Sequence, residues 1–287
     1  MKEYGPLMDC HVHIDEIKIH NKQIASYFGH EVGDVRWKGA STELHVKHIQ
    51  KDNLEVIYAI YENPNSLTDL RSSIPSCDVR GMYFIRNVQN PETKLIRNLY
   101  KKGLIQGLKI HPVIDNFELK TENIKEILKL SREFKVPILY HSDDRNSYWH
   151  LTSPELQKNL IKENPDVTFI VGHGGAYAKP RLVGNNPSIK AYWEGNENVV
   201  SRKKLVTKAL ELTTFNDNAF YDMTIATNAF KAKIIADFVN KHSGSEQKIL
   251  VGTDFPIGLA RATSQLNALA KAGMKPSLVQ KVAENRL

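Results

Sequence analysis

The chain has 287 residues, 41% hydrophobic and 25% charged, which describes a globular protein able to bury a substantial core. No apolar run approaches the roughly 18 residues of a membrane span, and two cysteines, Cys10 and Cys77, are too few for a disulfide framework, so a reducing cytoplasm is expected and a membrane role is not. The net charge of +7 comes from scattered basic residues, as in KKG 101–103 and SRKK 201–204; without a basic stripe, nucleic acid is not an expected partner, and attraction to anionic small molecules remains.

Along the chain, short apolar runs alternate with helical patterns. The first run, PLMDCHVHI at 6–14, is preceded by too few residues for the apolar core of a secretory leader. On a strand, side chains alternate faces, so Asp9, His11 and His13 are expected on one face and Met8, Cys10, Val12 and Ile14 on the other, with Cys10 and Val12 toward the helices. Further strands are expected at 54–61, 79–87, 104–112, 136–142, 167–175, 219–224 and 248–256, eight in all. Helices are expected at 90–103, with Asn90 as cap, Pro91 at the first position and Gly103 as the stop, and at 121–135. The cap-then-proline opening recurs at Ser153 and Pro154 for 153–165, and helices at 228–244, 258–273 and 275–287 complete the pattern. Alternation of this kind predicts a single-domain (β/α)8 barrel spanning 1–287, with long loops after strand one (15–40) and strand six (176–198).

Barrel chemistry sits at the C-terminal ends of the strands. There the sequence places His11 and His13, Arg86, Lys109 and His111, His141, His173, Asp222 and Asp254. Imidazole and carboxylate are ligands of zinc and related divalent ions, so a metal site is expected. Asp9, deeper on the first strand, is expected to support that site rather than ligate. Lys109 faces the interior, where an unpaired ammonium is costly, so it is expected to meet a carboxylate or substrate. Arg86 and Arg145 near the mouth, together with Asp222, are the candidate substrate contacts, although Asp143, Asp144 and Arg145 read first as a solvated loop. His20, His30, His45, His48, His150 and His242 fall in loops or helices and read as structural.

The ordered set DCHVHID, GLKIHP, YHSDD, VGHGG, YDMT and VGTDFP resembles the amidohydrolase superfamily, most of all the group that includes aminocarboxymuconate-semialdehyde decarboxylase-like enzymes. The terminal VAENRL is similar to that group's closing helix, with Glu284 where a glycine is common, and the resemblance spans nearly the whole chain. It implies His11, His13, His141 and Asp254 as ligands of one divalent ion, most simply zinc. Asp254 would also take a proton from water, and His173 would transfer a proton or polarise a carbonyl. A carboxylated Lys109 with His173 would instead complete a two-metal site. The implied activity is metal-dependent hydrolysis of an amide, ester or lactone of a small anionic molecule; non-oxidative decarboxylation at the same site is the alternative. TatD-type nucleases share the D-x-H-x-H opening but are expected to carry a glutamate near strand four, where this chain has GLKIHP. A metal-binding barrel without catalysis is the remaining alternative, and a homo-oligomer is implied by the resemblance alone.

Overall fold

In the computed structural model the described residues are 4–15, 17–18, 35–37, 41–142, 149–175, 202–224, 226–257 and 260–287. The barrel strands are β1 (Leu7–His13), β2 (Leu54–Tyr61), β3 (Asp78–Phe84), β4 (Gly107–Ile110), β5 (Ile138–His141), β6 (Phe169–Gly172), β7 (Ala219–Asp222) and β8 (Ile249–Leu250). They form one eight-stranded sheet in that order, each parallel to the next. The seam between β8 and β1 is closed just beyond β8: Cys10 N donates to Val251 O at 2.8 Å, Asp254 N to His11 O at 2.8 Å and His13 N to Phe255 O at 2.7 Å. The result is the expected (β/α)8 barrel.

Among the described residues a helix of nine or more residues follows each strand: α1 (Thr42–Lys51), α2 (Pro64–Ser73), α3 (Thr93–Lys101), α4 (Lys125–Phe134), α5 (Pro154–Glu163), α6 (Arg202–Thr214), α7 (Ala229–Lys241) and α8 (Ala262–Lys271), with α9 (Pro276–Glu284) closing the chain and single-turn helices at Pro112–Asp115 and Trp149–Thr152. Side-chain caps hold at α5, where the sequence predicts one, and at α7. The Ser153 side chain accepts from Leu156 N, and that of Asn228 accepts from Phe230 N and Lys231 N. At α3 they do not: Asn90 N bonds Asn87 O in a turn, and the helix starts later, after Glu92.

Apolar side chains form two layers. Met8, Cys10, Val56, Tyr58, Ile60, Met82, Phe84, Leu139, Ile170 and Leu250, all from strands, fill the barrel interior. Their strand neighbours, such as Ile57, Ala59, Leu108, Ile138, Val171 and Tyr221, pack outward against the helices. Cys10 therefore points inward, not toward the helices as simple alternation requires. A register shift in the β1–β2 ladder between Asp9 and Val12 marks a bulge: Asp9 pairs with Ile57 and Val12 with Ala59, three steps against two. The extra residue changes the phase of the strand. Met8 and Cys10 face in before it, His11 and His13 face in after it, and Asp9 turns out toward α1.

In the expected loop 15–40, Ile17–Lys18 pairs antiparallel with Val35–Trp37. The expected loop 176–198 lies outside the described residues, as do Asp143, Asp144 and Arg145. Among the described residues no helix is long and apolar enough to cross a membrane.

Candidate metal centre and active site

Six chain segments meet at the C-terminal mouth of the barrel, and each brings a titratable group. From β1 come His11 and His13, both buried. From the seam comes Asp254, whose N–H is tied to His11 O and whose φ is 56°. His11 Nε2, His13 Nε2 and Asp254 Oδ1 form a triangle with every side 3.3 Å. Burial drives the His13 pKa down to about 4 against the pull of Asp254, so its imidazole is neutral at pH 7. Burial alone would raise the Asp254 pKa, but the bond to His13, with His11 and Lys109 nearby, outweighs it and holds the carboxylate ionised.

The other ring nitrogen of His11, Nδ1, lies 2.7 Å from Asp222 Oδ2 at the end of β7. An ionised carboxylate accepts only, so Nδ1 is the donor and Nε2 is the nitrogen able to present a lone pair to the triangle. Asp222 is completely buried, and both oxygens are engaged. Oδ2 also accepts from His173 N at 3.1 Å, while Oδ1 accepts from Thr224 N at 2.9 Å and Thr224 Oγ1 at 2.5 Å. Burial would raise its pKa, yet His11, Thr224 and the His173 N–H hold it well below the usual carboxylate range. Asp222, a candidate substrate contact from the sequence, is placed to orient His11 and to hold the His173 N–H.

His173 follows β6 in a left-handed conformation with φ 59°, and Gly174 and Gly175 follow at 50° and 80°. The turn is pinned by Ser142, whose Oγ donates to Gly172 O and accepts from Gly175 N. The His173 ring centroid lies 5.0 Å from that of His11 and 4.6 Å from that of His141. Burial, followed by the charges of His141, His11, Lys109 and Lys231, keeps it neutral well below its ordinary pKa. His141 also stacks on His111 at 3.8 Å. Two groups of three ligand atoms converge among the described residues, His11–His13–Asp254 and His11–His173–Asp222; His141 stands beside them rather than within either.

Lys109 on β4 projects into the barrel with Nζ buried and without a hydrogen-bond partner among the described residues. Burial lowers its pKa to about 8, opposed by Asp254, Asp222 and Cys10. Arg86, beyond β3, is matched locally: its guanidinium bonds Glu62 Oε1 at 2.7 Å, lies 3.6 Å from Asp115 and covers the Phe84 ring at 4.0 Å. Its Nη1 is buried without a hydrogen-bond partner among the described residues. Arg145 lies outside the described residues.

Behind the triangle sits a layer that sequence reading assigned to structure or did not reach. Asp9 accepts from His11 N at 3.1 Å, Thr253 N at 3.0 Å and Thr253 Oγ1 at 2.5 Å, the supporting role expected of it. His48 on α1 reaches Asp9 Oδ2 at 3.4 Å and stacks on Phe255, while His45 bonds His13 O at 2.9 Å. Lys231 on α7 was not singled out. Its signal was positional: it falls on the same stripe as Ile235, Phe238 and Val239, where an apolar residue is the norm.

No protein-family model matches the sequence, and no curated protein matches it either. Solved structures do match in fold. A candidate 2-pyrone-4,6-dicarboxylic acid hydrolase from Acinetobacter baumannii, with citric acid bound, superposes with a TM-score of 0.61 at 13% identity, covering 96% of each chain. The 4-oxalomesaconate hydratase of Rhodopseudomonas palustris gives 0.53 at 12% identity, over 97% of this chain and 93% of that one. The 5-carboxyvanillate decarboxylase of Novosphingobium aromaticivorans, complexed with manganese and a nitrobenzoic acid, gives 0.58 at 10% identity, over 97% and 94%. Over nearly its full length, then, this chain shares the barrel fold of these three enzymes.

Proposed function

We propose that the protein is a metal-dependent hydrolase of the amidohydrolase type, acting on an amide, ester or lactone bond of a small molecule. The observation that carries this reading is the triangle of His11 Nε2, His13 Nε2 and Asp254 Oδ1. A four-coordinate zinc ion with N and O ligands at about 2.0–2.1 Å has neighbouring ligand atoms about 3.3–3.4 Å apart, so the residues fit the ion without rearrangement. His11, His13 and Asp254 would hold it, and His141 is the candidate for a fourth protein ligand. Such an ion supplies Lewis acidity, lowering the pKa of water toward neutrality and polarising a carbonyl.

The chain's own groups have separable tasks. Asp222 keeps Nδ1 of His11 protonated and so aims Nε2 at the triangle. Asp254, ionised and joined to the triangle through Oδ1, has Oδ2 to take a proton from the attacking water. His173, held neutral, can donate an N–H to a developing oxyanion or pass a proton to the leaving group. Lys109 brings positive charge to the same space, and with His173 it is the candidate pair for a second ion if its amine is carboxylated. The net charge of +7 supports an anionic substrate, with Arg86 and Arg145 as the candidate contacts; Arg86 pairs with Glu62, and its Nη1 is buried without a hydrogen-bond partner among the described residues. Both cysteines are free and buried, which suits a reducing cytoplasm.

Elemental analysis of protein purified without chelator should find a divalent ion near one per chain, zinc on this reading, and near two if Lys109 is carboxylated. Metal-free protein that gains no activity toward esters, amides or lactones when zinc or manganese is added would overturn the proposal. A second reading, non-oxidative decarboxylation, draws on the manganese-containing decarboxylase of the same fold. Release of CO2 from aromatic or dienoic acids, without hydrolysis of lactones, would select it.

A further inference from the structure

We propose that Lys231 is a positioning residue for His173: its ammonium draws together the carbonyls of His173 and Thr224 and so sets the turn from which the His173 ring enters the site. The proposal rests on His173 belonging to the site described above.

Lys231 sits on α7, outside the barrel, yet its side chain is completely buried among the apolar stripe that faces the strands. A lysine there is expensive unless its charge meets acceptors. Nζ donates to His173 O at 2.7 Å and to Thr224 O at 2.6 Å. These carbonyls belong to different segments, one just after β6 and the other just after β7. The ammonium therefore ties together the two strand ends that carry His173 and Asp222. Its neighbour Lys233 has the ordinary arrangement for a helix lysine, pairing with Asp237 on the surface at i,i+4.

The turn has reason to need such a tie. His173, Gly174 and Gly175 are left-handed in succession, a conformation L-residues avoid. The peptide groups of His173 are held from both sides by charge: its N–H by the Asp222 carboxylate, its C=O by the Lys231 ammonium. The oxygen that takes the His173 N–H is the one that takes Nδ1–H of His11. A shift of the turn would thus be felt at both histidines. A methionine of similar length would fill the space but leave both carbonyls without that donor.

The first experiment uses the wild-type full chain, labelled with carbon-13 and nitrogen-15. Scalar coupling across the hydrogen bonds from Lys231 Nζ to the carbonyl carbons of His173 and Thr224 is expected, and its absence would overturn the proposal. The second compares Lys231→Met with Lys231→Gln, whose amide retains donors. In the metal-free protein the His173 imidazole signals should shift or broaden in the Met variant and return toward wild type in the Gln variant, with those of exposed His242 unmoved. For any substrate turned over, kcat should fall roughly 10–100-fold in the Met variant, with KM little changed. A lowered melting temperature with unmoved His173 signals means that Lys231 is structural and overturns the proposal. If the Met variant does not fold, the wild-type coupling and the Gln variant decide. The spectroscopic readouts need no substrate, so their failure is distinct from failure of the hydrolase reading.

Discussion

Asp222 and Lys109 illustrate opposite uses of burial. Asp222 is ionised at no net expense because four donors converge on its two oxygens, and what it returns is a fixed His11 ring. Asp222→Asn keeps the shape but can offer Nδ1 of His11 an N–H instead of an oxygen. Zinc affinity, measured by competition with a chelator, should drop about 10–100-fold even though residue 222 touches none of the triangle atoms. Lys109 has the reverse balance. Its folded pKa of about 8 lies below the unfolded value near 10.4, so the folded state holds this proton less tightly than the unfolded chain. The penalty is therefore full below pH 8 and fades as pH rises toward 10.4. In metal-free protein, Lys109→Met should raise stability at pH 7 by up to about 3 kcal/mol, and the gain should vanish by pH 10.5. Urea unfolding at the two pH values checks this, and activity lost in the more stable variant would mark Lys109 as retained for chemistry.

At the scale of elements, the strand ends and their order were legible because short apolar runs recur eight times, and the candidate site residues because they stand at those ends. The phase of β1 was not. Alternation counts residues, and a bulge adds one, so Cys10 and Asp9 exchanged the faces expected of them while His11 and His13 kept theirs. Helix α1 was hidden for a different reason: two of its three buried positions are His45 and His48, which do not register as an apolar stripe. Lys231 hid Asp222's turn partner in the same way, as a polar residue on a buried face. The VGHGG run was legible as a site, and the structure supplies the reason for its glycines. Gly174 is left-handed, and a Cβ there would run into the Tyr221 ring. Gly174→Ala should cost about 3 kcal/mol, read as a fall in the denaturant midpoint, and should displace His173 because the turn must open to admit the methyl group.

For the whole molecule, the seam between the first and last strands is where fold and site become one problem. Asp9 and Thr253 lie 244 residues apart in the chain, yet Asp9 accepts both the N–H and the hydroxyl of Thr253, together with the His11 N–H. A second carboxylate, Asp52 at the end of α1, closes the outer layer: it takes Arg261 Nε at 2.9 Å, Ala262 N at 2.7 Å and Thr263 Oγ1 at 2.7 Å, which fixes the start of α8 against α1. Both are buried, and removing either leaves donors without acceptors. Asp9→Ala should cost about 3–5 kcal/mol and Asp52→Ala about 2–3 kcal/mol, each as a shift of a single cooperative transition, because opening the seam releases both ends of the sheet together. The two should separate in metal binding. Asp9 holds the backbone of His11 and the residue before Asp254, so its loss should also weaken zinc affinity in the fraction that remains folded. Asp52 touches neither, and zinc affinity of its folded variant should stay at the wild-type value. Equal loss of affinity in both variants would mean that the triangle responds to barrel closure in general and not to the Asp9–Thr253 contact.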